Sequence, residues 1–220
     1  MISIWLILII ILVIIVIEIV VRNYKHLRHQ ISPRKEQSRM TPDYILEKIE
    51  PYVASVEKNI FIDINCGYGD ILRIFYGDFK KIIGIDMNPD ITRYLSSQIN
   101  NSNNSNNIEI INTDPQQYIF PNEDTIIYIS EIYEPLYNQN DFTTKKLYRN
   151  LFKNITDIFS KNNNKLYIIY CSGLLNKTLD IHFFNDFSFN IVKYDEVPFS
   201  KLLPFLHYKL YLLHFNPVVI

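Results

Sequence analysis

Glycine is scarce in this chain, with five residues in 220. Few positions can therefore take a left-handed backbone at no cost, and a place where two glycines stand together carries weight. Cysteine is scarcer still, with only Cys66 and Cys171. That argues against a disulfide framework and fits reduced thiols in a domain facing the cytosol. No excess of one charge exists: 22 basic and 23 acidic residues leave a net charge of −1. Without a basic field, nucleic acid is not an expected partner. No G-x-x-x-x-G-K-[ST] run occurs, which excludes a P-loop. No G-x-S-x-G or Ser/His/Asp pattern points to a hydrolase, and no His/Cys/Asp cluster has metal-ligand spacing, so no metal is expected.

Long apolar runs, in contrast, are present. Residues 1–21 are apolar apart from Ser3 and Glu18, with Trp5 near one end. That length crosses a bilayer core. It lacks the basic start and small-residue cleavage site of a signal peptide. Arg22, Lys25, Arg28, Arg34 and Lys35 follow directly, and the positive-inside rule then places the rest of the chain in the cytosol. The expectation is a single-pass membrane protein: a lipid-embedded anchor over 1–21, a basic juxtamembrane linker over 22–40, and a domain over 41–220. His26 and His29 read as interfacial polar residues.

The domain alternates strand and helix patterns. Thr41-Pro42-Asp43 opens a helix, with Thr as N-cap and Pro at the first helical position. Strands are expected at Asn59–Ile64, Lys81–Ile85, Ile108–Ile111, Thr125–Ile129 and Leu166–Tyr170. Helices are expected at Asp70–Tyr76, Pro89–Ile99 and Phe142–Phe159, the last with a buried stripe of Leu147, Leu151, Ile155 and Ile158. Asn100–Asn107 reads as a solvated low-complexity loop. Phe189–Val197 and Tyr208–Phe215 read as an antiparallel final pair. This is an α/β pattern with a mostly parallel sheet covered on both faces.

The chemistry concentrates at strand ends. Phe61-Ile62-Asp63-Ile64-Asn65-Cys66-Gly67-Tyr68-Gly69-Asp70 runs a strand into a tight glycine turn and then a helix. Such a turn brings backbone close to a nucleotide-like ligand. Asp86 closes the second strand, 17 residues past Gly69, near the spacing of about 20 expected for an acid that meets ribose hydroxyls. Asp114 ends the third strand region. Each also has a plainer reading: a tight strand–helix turn for Gly67 and Gly69, a helix cap for Asp86 (a part that Asn88 before Pro89 fills better), and a turn residue for Asp114. A nicotinamide fingerprint would need a third glycine where Leu72 stands. Asp63, two residues before the turn, suits the amino group of a methionine-derived ligand.

These residues resemble the class I S-adenosylmethionine-dependent methyltransferases, whose first motif reads D/E-x-G-x-G-x-G. Here it reads Asp63-Ile-Asn65-Cys-Gly67-Tyr-Gly69, with Asn65 in the place of the first glycine. Asn still tolerates a left-handed backbone. The resemblance covers roughly residues 41–215. It implies a seven-stranded, mostly parallel Rossmann-like sheet with an antiparallel last strand, and S-adenosyl-L-methionine as cofactor. It assigns Asp63, Asn65, Gly67, Gly69, Asp86 and Asp114 to cofactor binding. The chain is also similar to the ATP synthase subunit c lysine methyltransferases, which place a hydrophobic segment ahead of such a domain, and this implies a protein lysine as acceptor.

After the fourth strand, relatives carry Asn/Asp-Pro-Phe/Pro. This chain carries Ser130-Glu131-Ile132-Tyr133-Glu134-Pro135-Leu136, and either Glu134-Pro135 or Ser130-Glu131 is the counterpart. Glu131 and Glu134 are the candidate proton acceptors for a lysine ammonium. Tyr133, the third candidate catalytic residue, would flank a cation together with Tyr137. A catalytically degenerate module of the same fold, held at a membrane for binding or assembly, is the alternative.

Overall fold

The computed structural model describes residues 48–216 except 49, 52, 55, 102–106, 131–140, 162–163, 173–178, 180 and 201–202. The expected anchor, the basic linker and the helix start at Thr41 lie outside the described residues. Among the described residues no helix is long and apolar enough to cross a membrane.

The elements run β1 (Ile60–Ile64), α1 (Asp70–Ile74), β2 (Lys81–Asp86), α2 (Pro89–Asn100), β3 (Ile108–Asn112), β4 (Thr125–Ser130), α3 (Asp141–Phe159), β5 (Leu166–Ser172), α4 (Ile181–Asn185), β6 (Phe189–Ser200) and β7 (Leu203–Phe215). They build one seven-stranded sheet in the order β3-β2-β1-β4-β5-β7-β6. The first five strands pair in parallel. β7 runs antiparallel to both β5 and β6. Only one strand is therefore reversed, and β6 points the same way as the first five.

β1 is buried along its whole length, as expected for a central strand covered on both faces. Its side chains alternate between two cores. Ile60, Ile62 and Ile64 join a cluster with Tyr148, Leu151, Phe152 and Ile155 of α3 and Phe183 and Phe184 of α4. Phe61 joins the opposite cluster, with Leu72 of α1 and Leu95 and Ile99 of α2. Cys66 and Cys171 belong to that second cluster and are buried.

Three expectations shift. The stripe of α3 centres on Tyr148, Leu151, Phe152, Ile155 and Phe159, while Leu147 and Ile158 sit at its margin. The aromatic side chains are larger and take the centre of the face. The final hairpin is longer than expected and runs through Pro198 and Pro204. Pro198 lies on the edge strand beside a register shift, a place where a missing N–H costs little. Asn100 ends α2 rather than starting a loop, and Asn107 donates its amide to the Phe79 carbonyl at 2.9 Å.

Candidate cofactor site

The turn after β1 holds three residues at positive φ: Asn65 at 65°, Gly67 at 53° and Gly69 at 78°. Asn65 thus takes the left-handed conformation expected of it. The backbone N–H groups of Asn65 and Cys66 both donate to the Ile85 carbonyl, at 2.8 and 3.0 Å, so the turn is seated on the end of β2. Gly69 N–H closes the turn on the Cys66 carbonyl at 2.9 Å. A side chain at Gly69 would meet Leu95 Cδ1 at 2.8 Å. Glycine is required there both by backbone angle and by space.

Asp86 sits at the centre of the arrangement. Its carboxylate is buried and accepts Gly67 N–H on Oδ2 at 3.0 Å and Asn88 N–H on Oδ1 at 2.8 Å. One side chain thereby sets the glycine turn and the start of α2 together. Asn88 is the N-cap of α2, accepting from Asp90 N–H at 2.9 Å. Asp86 is therefore not itself that cap. Its main-chain carbonyl accepts the Asn112 side-chain amide at 3.0 Å and Thr113 N–H at 3.3 Å, which binds the ends of β2 and β3 together.

Asp63 lies one residue below the end of β1 and is 2% exposed. It pairs with Gly84 of β2 and Tyr128 of β4. A side chain at Gly84 would meet Leu72 Cδ1 at 2.7 Å, Ile110 Cδ1 at 2.8 Å and Cys66 Sγ at 3.0 Å. The missing Cβ is what lets α1 pack against the sheet beside Asp63. Asp114 makes a local turn, with Oδ1 accepting Gln116 N–H at 2.9 Å. That turn is held from α3. Asn150 donates to Gln116 Oε1 at 3.1 Å, and Asn154 donates to the Gln116 and Tyr118 carbonyls at 3.2 and 2.9 Å.

The structure therefore brings Asn65, Gly67, Gly69 and Asp86 into one hydrogen-bonded unit. It places Asp63 beneath that unit and Asp114 in the turn one strand over. Glu131, Tyr133 and Glu134 lie outside the described residues. Sequence reasoning passed over Asn112, a polar residue closing an apolar strand, and Met87, a large apolar residue that is 41% exposed directly after Asp86. An apolar side chain left open between two turn-forming residues was the available signal. A cleft of about 520 Å³ opens nearby between α2 and β3, lined by Pro89, Thr92, Arg93, Ser96, Asn100 and Asn112 among others. It adjoins the site at Asn112, but Gly67, Asp86 and Asp114 do not line it.

No protein-family profile and no curated protein sequence matches this chain. Solved structures do match. The N-methyltransferase NodS from Bradyrhizobium japonicum WM9 aligns with a TM-score of 0.58 at 15% identity, over 80% of this chain and 98% of its own. A S-adenosylmethionine-dependent methyltransferase from Clostridium acetobutylicum ATCC 824 aligns with a TM-score of 0.56 at 11% identity, over 89% and 98%. The magnesium protoporphyrin IX methyltransferase ChlM from Synechocystis PCC 6803, solved with bound S-adenosylmethionine, aligns with a TM-score of 0.56 at 10% identity, over 83% and 87%. Such identities speak for architecture, and architecture alone does not settle chemistry. With its strand order and its reversed β7, the chain has the fold of the class I S-adenosylmethionine-dependent methyltransferases.

Proposed function

We propose that this domain binds S-adenosyl-L-methionine at the carboxyl ends of β1, β2 and β3 and transfers its methyl group to an acceptor held beside the end of β4. The observation that carries this reading is Asp86. A carboxylate offers about four lone-pair positions, and two of them take the Gly67 and Asn88 N–H groups. The others remain to accept two vicinal hydroxyls, the chemistry of a ribose. Met87, exposed beside it, offers a polarisable thioether to a flat base. The glycine turn keeps side chains out of the space above β1. The residues present therefore fit such a ligand.

The cofactor supplies both the electrophilic methyl and its leaving group, so the protein's task is alignment and desolvation. Asp86 and the glycine turn fix one end of the ligand. The acceptor amine must lose a proton before its lone pair can form the new C–N bond, and we assign that proton to Glu131 or Glu134. To Tyr133 we assign the holding of the cationic form by its ring face. The acceptor we favour is a protein lysine near a membrane surface. The apolar run at 1–21 and the basic residues after it support that setting, with the domain on the cytosolic side. Within the domain, the amide of Asn154, which stands in an Asn-x-Thr sequence, is used to hold the loop after β3. A glycan on Asn154 would replace one amide hydrogen and so remove at least one of these two bonds.

Titration calorimetry with S-adenosylmethionine tests the reading. Binding by the wild-type chain is expected, and Asp86→Asn should weaken it by about tenfold or more, since one oxygen becomes a donor that faces an N–H. A wild-type chain without measurable affinity would instead favour the non-catalytic module. Transfer of label from the tritiated cofactor to membrane and soluble lysate fractions then finds the acceptor.

A further inference from the structure

We infer that Asn65 is a positioning residue, tying the turn that receives the cofactor to the chain that leaves β4 toward the acceptor side. The inference rests on the methyl-transfer reading above. In the sheet, β1 lies between β2 and β4, although β2 and β3 separate β1 from β4 in sequence. The winding reverses at this pair, and ligands of open α/β sheets sit in the crevice at such a point. Asn65 is the first residue beyond β1, and Ser130 is the last residue of β4. Asn65 Nδ2 donates to the Ser130 carbonyl at 3.1 Å. Because the acceptor is a carbonyl oxygen, the amide end of the Asn65 side chain must face it.

Backbone angle alone does not call for asparagine here, since glycine meets a φ of 65° at lower cost. What the side chain adds is a bond across the crevice floor. Asn65 thereby joins three strand ends: β1 covalently, β2 through its own N–H on the Ile85 carbonyl at 2.8 Å, and β4 through its amide. The Ser130 carbonyl belongs to the planar peptide unit whose nitrogen is that of Glu131. Holding its oxygen fixes the plane in which the chain leaves β4. A shift of the cofactor turn is then felt at the end of β4, beside which the acceptor is proposed to lie.

The test compares full-length wild type with Asn65→Gly and Asn65→Asp. Glycine keeps the backbone angle and removes the amide. Aspartate keeps the shape but turns a carboxylate toward the Ser130 carbonyl. Calorimetry with S-adenosylhomocysteine measures how far each variant weakens the cofactor site itself, and the loss of turnover should exceed that weakening by about tenfold or more. Turnover of tritiated S-adenosylmethionine on lysate should fall about tenfold or more in kcat, beyond any change in KM for the cofactor, the pattern of lost alignment. Backbone hydrogen exchange in the peptide 125–140 should rise about fivefold or more, while that of 166–172 stays constant. Wild-type turnover in Asn65→Gly overturns the inference, and so does unchanged exchange. Loss of cofactor affinity in proportion to turnover overturns it too, by making Asn65 a ligand contact. A wild-type chain that binds no cofactor sinks the methyl-transfer reading first, a different failure from normal affinity with unchanged exchange.

Discussion

Gly69 and Gly77 share a backbone conformation but not a neighbourhood. Their φ angles are +78° and +82°, yet a Cβ on Gly69 meets Leu95 at 2.8 Å, while one on Gly77 meets nothing within 4 Å. Alanine at 77 should therefore cost only the left-handed strain, about 1–2 kcal/mol. Gly69→Ala adds the displacement of a fully buried leucine, for a total of about 2–4 kcal/mol. Urea denaturation of the two variants should give the lower midpoint for Gly69→Ala, and equal midpoints would mean that Leu95 yields freely. At this scale the sequence was partly legible. Asn65 announced its conformation because asparagine is among the few side chains that accept it. Gly84 announced nothing, because its need for glycine comes from Leu72, Ile110 and Cys66, which only the fold brings near. The double engagement of Asp86 was equally hidden, since both donors are backbone groups without a sequence signature.

The long helix α3 shows where reading by element succeeds and where it slips. Its period is legible, but its centre is not, because aromatic bulk at Tyr148, Phe152 and Phe159 outweighs aliphatic spacing. Phe152 stands at that centre, with the rings of Phe183, Phe187, Phe189 and Phe184 at 5.3, 5.7, 5.6 and 5.8 Å. Phe152→Ala should cost about 3–5 kcal/mol, whereas Phe152→Leu, which refills most of the volume, should cost clearly less. Thermal melts in the presence and absence of cofactor would check both. The same helix reaches the site through Asn150 and Asn154. Neither was legible, because a helix face that holds a neighbouring loop looks like any solvated polar face. Proline hides the full length of the β6–β7 hairpin in the sequence, and the edge position of β6 accommodates Pro198.

Across the whole domain, alternation of strands and helices together with scarce glycines was enough to place the five parallel strands and the turn that serves the site. Strand order, and with it the neighbourhood of β1 and β4, had no local signal. A pH effect also emerges only from the assembled sheet. His214 of β7 stacks on Tyr167 of β5 with ring centroids 4.6 Å apart. Burial, and then the nearby Lys165, hold its pKa below the ordinary histidine value. The unfolded chain therefore takes up the proton first. Stability is full above about pH 6.5 and declines as pH falls from there toward the lowered folded value. Urea midpoints at pH 7.5 and 5.5 should differ in wild type and differ less in His214→Gln, and an equal difference in both would place the titrating group elsewhere.

The pairing of β1 with β4 has a consequence during synthesis. Asn65 leaves the ribosome 65 residues ahead of the Ser130 that it will hold. At about 5–20 residues per second, that interval lasts roughly 3–13 s. Through it, β1 can pair with β2 on one side only, so the strand destined for the middle of the sheet begins life as an exposed edge. An apolar edge of that kind is a template for the wrong partner. The nascent chain is thus most vulnerable between the emergence of Ile60 and that of Thr125, before the crevice that defines the site exists.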